Sequence, residues 1–92
     1  MGISAPSVFM TAYPNPFSDN NTIKYRVENA THVTILLFDL DGRLVKTLLD
    51  ASQSEGDYTI NWNSGNLSNG TYFARAMQGD HILQTLKLVK TN

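Results

Sequence analysis

Two histidines and a pair of closely spaced aspartates are the residues of this 92-residue chain best placed by type to do chemistry. His32 and His81 would need convergent partners to act as a general base or a metal ligand. Neither has a second histidine or a carboxylate at ligand spacing. Both sit beside turn signals and read as solvated side chains. Asp39 and Asp41, in "FDLDG", could chelate calcium through alternate carboxylates. An EF-hand register makes Gly42 the sixth residue, but it then puts Leu37 first and Leu48 last, where oxygen ligands are needed. Asp39 is instead expected to accept hydrogen bonds from backbone N–H groups of its own turn. With no cysteine, a disulfide, a thiolate zinc site and a cysteine nucleophile are excluded. Ser4 and Ser7 lack a nucleophile elbow, and no phosphate-binding loop is present. The expectation is therefore no enzyme, no cofactor and no metal.

Weaker signals remain. Asn20, Asn29, Asn66 and Asn69 each open an N-x-[ST] pattern near a predicted loop, which matters only in a host that glycosylates such sites. Phe38 and Phe73 have the opposite parity to the presumed core positions. They could stack on sugar rings, but cover of a second sheet face is the preferred reading.

The formal net charge is −1, and the seven lysines and arginines form no stripe, so nucleic acid is not an expected partner. No run approaches the ~20 apolar residues of a membrane-spanning helix, so no membrane insertion is expected. The start, "MGISAPS", has neither the basic nor the apolar region of a signal peptide. Met1 and Gly2 read as an added start on an excised piece and Ser4–Ser7 as the tail of a linker. Residues 1–7 are thereby set apart from a domain over 8–92. A chain of this length buries roughly 60–68% of its unfolded surface, enough for a cooperative core without staples.

Hydrophobicity alternates with a period of two almost throughout, which predicts half-buried antiparallel strands. Ile23, Tyr25 and Val27 form one face, and Val33, Ile35 and Leu37 another, with Leu36 and Phe38 apolar on the reverse side. Tyr58, Ile60 and Trp62 make a one-sided strand with Trp62 as a core anchor. Ile82, Leu86 and Leu88 share a face with Gln84 as an exception. Asp41-Gly42 and Gly79-Asp80 signal tight hairpins, and Gly56 and Asn69-Gly70 precede further strands. The strands fall at about 7–13, 21–28, 32–39, 43–49, 57–63, 71–78 and 81–90. "RLVKTLLD" is ambiguous, because Leu44, Leu48 and Leu49 could also mark a helical turn. Seven short strands with frequent turns predict an all-β, immunoglobulin-like antiparallel sandwich without its disulfide.

Ahead of these strands stands "YPNPF", Tyr13 to Phe17. Its prolines lack N–H donors and push their predecessors towards extended geometry. The segment is thus extended yet unable to pair fully, suited to bend the first strand between two sheets, with Tyr13 and Phe17 plugging the sandwich on either side.

Six pieces, in order, carry a family resemblance: "YPNPF", "TIKY" at 22–25, "VTILLFDLDGRLV" at 33–45, "GDYTINW" at 56–62, "LSNGTYFARA" at 67–76 and "QTLKLVK" at 84–90. Together they resemble the C-terminal sorting domain of the type IX (Por) secretion system. The departures are small, at Leu36 and Ala74.

The resemblance implies a non-catalytic address that takes an N-terminal cargo in the same polypeptide across the outer membrane. It passes through the periplasm to the cell surface or the medium. The implied partners are the outer-membrane translocon and a surface signal peptidase, with processing somewhere in Ile3 to Tyr13. Carried over residue by residue, the family motifs point to Gly70, Tyr72, Lys87 and Lys90 for recognition. Pro14, Asn15, Pro16, Asp39, Gly42, Arg43, Gly56 and Trp62 would be mainly structural. Gly70 and Tyr72 also suit turn geometry and core packing, and the two lysines suit the protection of an edge strand. The alternatives are a carbohydrate-binding or a structural immunoglobulin-like accessory module, since one sandwich hosts all of these.

Overall fold

Period-two patterning becomes seven antiparallel strands in a computed structural model that describes residues 8–91. They are β1 (Val8–Tyr13), β2 (Asn20–Val27), β3 (Thr31–Asp39), β4 (Leu44–Gln53), β5 (Gly56–Asn63), β6 (Gly70–Gln78) and β7 (His81–Lys90). One sheet has the order β1-β2-β5 and the other the order β4-β3-β6-β7. This is the expected immunoglobulin-like sandwich, with β4 joined to β3 rather than to β5.

The core lies between the sheets and is made by the predicted alternation. Ile23, Tyr25 and Val27 of β2 meet Val33, Ile35 and Leu37 of β3, with Ala74, Ala76 and Leu88 from β6 and β7. Small Ala74 and Ala76 leave room for Met10, Phe17 and Trp62 from the facing side. Phe17 and Trp62 pack with ring centroids 5.4 Å apart at 60°, a tilted geometry that aromatic quadrupoles favour.

The strand expected at 43–49 is present and longer, and the last strand departs from its expected face; both contain bulges. The "RLVKTLLD" segment is strand and not helix, and β4 runs on to Gln53. Its register against β3 shifts between Ile35 and Leu36 and again between Leu37 and Phe38. At each shift an extra residue faces one partner, so strict alternation fails and the apolar spacing mimics a helical turn. In β7 a shift opposite Ala76 and Met77 leaves Leu83 as the extra residue. Ile82 therefore leaves the face of Leu86 and Leu88 and is 56% exposed, while Leu83 packs on the core.

The strands run between two poles of a molecule 46 Å in its longest dimension. Val8 pairs with Val27 and Val27 with Gly56, so β1 begins at the pole of the β2–β3 and β4–β5 connections. The connections β1–β2, β3–β4 and β5–β6 lie at the opposite pole, with Thr91.

One buried polar residue joins these elements. Asn21 is 1% exposed at an inward position of β2. Its Nδ2 donates to the Pro14 carbonyl at 2.8 Å, and its Oδ1 accepts from Trp62 Nε1 at 3.1 Å. Asn21→Ala strands both groups without partners and is expected to cost roughly 1–3 kcal/mol in denaturant unfolding. At about 4–8 °C per kcal/mol, the loss is also visible as a lower Tm. Asn21→Asp, which sets a buried carboxylate against the Pro14 carbonyl, is expected to destabilise at neutral pH at least as much as Asn21→Ala.

Candidate functional site

Most of the motif residues lie towards the pole opposite the start of β1. The "YPNPF" segment leaves β1 there, with both X–Pro peptide bonds cis, and crosses from the edge of one sheet to the edge of the other. Asn15 and Phe17 supply the pairing that the prolines cannot. Asn15 Nδ2 donates to the Lys87 carbonyl at 2.8 Å, and the Val89 N–H donates to Asn15 Oδ1 at 3.0 Å. Beyond it, the Phe17 N–H donates to the Val89 carbonyl at 2.9 Å and the Thr91 N–H to the Phe17 carbonyl at 2.8 Å. This short parallel bridge to Lys90 covers the outer edge of β7 from Lys87 to Thr91. The expected bend between sheets is present, but only Phe17 plugs the core. Tyr13 is 47% exposed, on the reverse face of β1, because its position has the opposite parity to Met10.

Gln84, the exception in the last strand, does the same one step along. The Met10 N–H donates to its Oε1 at 2.7 Å, and its Nε2 donates to the Met10 carbonyl at 2.8 Å. Two side-chain amides thus stand in for ladder bonds between β7 and the first segment of the domain. Neither Asn21 nor Gln84 is singled out by motif. Inward parity beside apolar positions was the available signal for both.

At the same pole, Asp39 closes the β3–β4 turn as expected. Its Oδ1 accepts from the backbone N–H of Asp41 and of Arg43, each at 2.9 Å. Gly42 has φ +85, in the left-handed region that its turn position requires. Arg43 is exposed, with Nε 3.5 Å from Asp39 Oδ2. Across the pole the Tyr72 hydroxyl donates to the Ser68 carbonyl at 2.6 Å. A buried tyrosine bonding the backbone four residues upstream at this corner is a feature of immunoglobulin-like sandwiches. Gly70 has φ +149 and no heavy atom within 4 Å of the place a Cβ would take. Conformation, rather than space, selects glycine there. Asp39, Leu40, Val45, Asn66, Asn69 and Tyr72 are among the residues lining an open groove of about 420 Å³ between the two turns.

The four recognition candidates do not form one patch. Gly70 and Lys90 are register partners, as are Tyr72 and Leu88. Lys90 is only 7% exposed and Tyr72 6%, on the inward face. Lys87 opposes Phe73 on the outward face and is exposed. Of the structural motif residues, Trp62 shares this pole and Gly56 lies at the other.

His32, read as a lone turn-edge residue, hydrogen-bonds Asp50 across the β3–β4 pair. His81 is exposed at the start of β7. Asn20, Asn29, Asn66 and Asn69 are all exposed. Among the described residues no group of three or more His, Cys, Asp and Glu side chains could hold a metal ion, and no helix is long and apolar enough to cross a membrane.

Asn15→Ala leaves the Lys87 carbonyl and Val89 N–H open to solvent at the β7 edge. Amide hydrogen exchange is expected to accelerate at Val89 and Thr91 while amides of the β3–β6 ladder keep their protection. Asp39 carries a pH dependence. The Arg43 N–H bond, partly opposed by desolvation and reinforced by the Asp41 N–H and the Arg43 charge, holds its carboxyl below the ordinary value of 3.8. Because the folded value is the lower one, this contribution is complete above the unfolded value and is lost as pH falls through the folded one. The stability gap between the wild type and Asp39→Asn, followed by urea unfolding, is expected to shrink below pH 3.8.

Comparison with known proteins bears on the family and the fold. A family model described as secretion system C-terminal sorting domain matches residues 11–91. A search of curated proteins finds no match. Among solved structures, the chain is similar to one described as dimeric latent PorU from Porphyromonas gingivalis, with a TM-score of 0.78 at 20% identity over 98% of this chain. The chain spans 10% of the length of that protein, and at this identity the likeness concerns the fold. With the model matching from β1 to Thr91, the chain belongs to the family of secretion system C-terminal sorting domains, the sorting signals of type IX secretion.

Proposed function

We propose that the chain is the non-catalytic address of a larger exported polypeptide, read in the periplasm by the outer-membrane translocon and processed by a surface signal peptidase. Cargo ahead of it then reaches the cell surface or the medium. The observation that carries this reading is the family match over residues 11–91. The geometry supports it: cargo would join at the pole where β1 starts, while the motif turns gather at the other end of a 46 Å molecule, clear of the cargo.

The expected processing interval divides in two. Residues 3–7 lie outside the described residues. Val8–Tyr13 is β1, paired residue by residue with β2, and a protease needs backbone that is free to enter its cleft. This pairing favours processing ahead of β1, which would leave the domain whole.

One observation favours the carbohydrate-binding alternative. Phe9 and Tyr13, exposed by 46% and 47%, share the outward face of β1, and Phe9 lines a groove of about 730 Å³ with Lys24, Arg26 and Asp57. A volume of this order suits a small ligand. Pull-down on insoluble glycans is expected to leave the domain in the supernatant; retention that disappears in Phe9→Ala would favour the module instead.

The sorting reading is tested by fusing the full chain behind a periplasmic reporter in a bacterium with the type IX system. Surface or medium reporter that is lost in a translocon mutant is the expected outcome. Reporter held in the periplasm of the wild-type host would falsify it. Point substitutions are better probes of the address than removal of β7, because β7 also supplies core Leu88 and anchors Asn15.

A further inference from the structure

The outward face of the four-stranded sheet carries chemistry that the fold does not use. Register places side chains there in rows across the strands: Leu44, Phe38, Phe73 and Lys87 in one, and Thr47, Leu36, Arg75 and Thr85 in the next. Thr34 and Met77 follow, with Asp50 at the β4 corner bonded to His32. The Arg75 guanidinium stacks over Phe38 with Cζ 4.6 Å from the ring centroid. Its Nε is shut off from solvent and is the buried side-chain polar atom without a hydrogen-bond partner among the described residues. No described carboxylate pairs with Arg75 or Lys87. An unsatisfied, enclosed donor is rare enough to require an explanation. Arginine, aromatic and methionine side chains are also the types enriched where proteins bind one another.

We propose that this face, centred on Arg75, Phe38 and Phe73 with Lys87 at its margin, docks a protein partner that presents carboxylates among apolar side chains. This rests on the sorting reading and names the partner chemistry for Lys87. Charge selects the occupant. A second copy packed by two-fold symmetry about the centre of the face would set Arg75 against Arg75, which is repulsive, and the acid on the face, Asp50 at the far corner, is already bonded to His32. Size points the same way. Four strands at about 4.8 Å and nine residues at about 3.3 Å per residue give roughly 500–600 Å². That corresponds to a transient contact of under about 1,200 Å² in total, rather than to a stable dimer. A brief acidic contact that releases its cargo is what an address needs.

The test has two arms, both using the full chain. In the first, a soluble peptide rich in Asp and Phe is titrated into labelled protein and followed by NMR. Salt-sensitive shifts are expected at Leu36, Phe38, Phe73, Arg75 and Lys87, with affinity reduced about tenfold or more in Arg75→Gln. Shifts confined to β1-β2-β5, or equal binding of the same peptide with Lys replacing Asp, overturn the proposal. In the second, Arg75→Glu and Lys87→Glu fusions are exported from the type IX host, with thermal unfolding to show that each is folded. Export is expected to fall about tenfold or more in both, while Asn61→Glu, at an exposed position of β5 on the other sheet, leaves it unchanged. Wild-type export from folded Arg75→Glu and Lys87→Glu overturns the docking face and leaves the sorting reading standing. Failure of the wild-type fusion to leave the periplasm sinks the sorting reading, and the peptide arm then decides the face alone.

Discussion

The structure turns on how the chain passes from the first sheet to the second at Pro14 to Phe17. Two prolines remove the donors that a crossing strand would offer, so this exposed crossing cannot pair the edge of β7 through its backbone alone. Side-chain amides resolve the conflict. Asn15 bonds both ways to the outer edge of β7, Asn21 holds the Pro14 carbonyl from below, and Gln84 bonds both ways to Met10. Phe17 then drops into the core against Trp62. The beginning and end of the domain are thereby one unit, although about seventy residues separate them in sequence.

That closure bears on recognition. A terminal edge strand invites strand addition, yet the outer edge of β7 from Lys87 to Thr91 is already occupied by Asn15 and Phe17. What β7 and β6 still offer is a side-chain face. There Lys87 and Arg75 stand among aromatic and aliphatic groups with no acid of their own. The family motifs at the far pole, by contrast, mostly hold the fold. Tyr72 ties the β5–β6 corner, Asp39 the β3–β4 turn, and Gly70 a conformation that side chains disfavour.

Much of the sandwich was legible because burial imposes parity, and parity is visible in one dimension. Val33, Ile35 and Leu37 had to face inward together, and Asp41-Gly42 had to turn. Where a bulge adds one residue, as near Leu48 and at Leu83, the parity slips and the pattern misleads. The candidate site was less legible. Lys87 and Lys90 look alike in sequence, but three positions along a strand put them on opposite faces, one solvated and one buried. Arg75 carries no local signal in the sequence, since nothing near it shows that its Nε will be enclosed without an acceptor.

By itself the sequence determined the all-β class, the seven strands, most of the core, the Asp39 turn and, through ordered motifs, the sorting family. Each depends on neighbours within a few residues, or on a pattern that repeats along the chain. Only the tertiary structure decided which edges meet, that Asn15, Asn21 and Gln84 replace missing ladder bonds, that Tyr13 faces out while Phe17 faces in, and where Arg75 stacks. These depend on contacts between residues far apart in the chain, whose geometry exists only once the two sheets have packed.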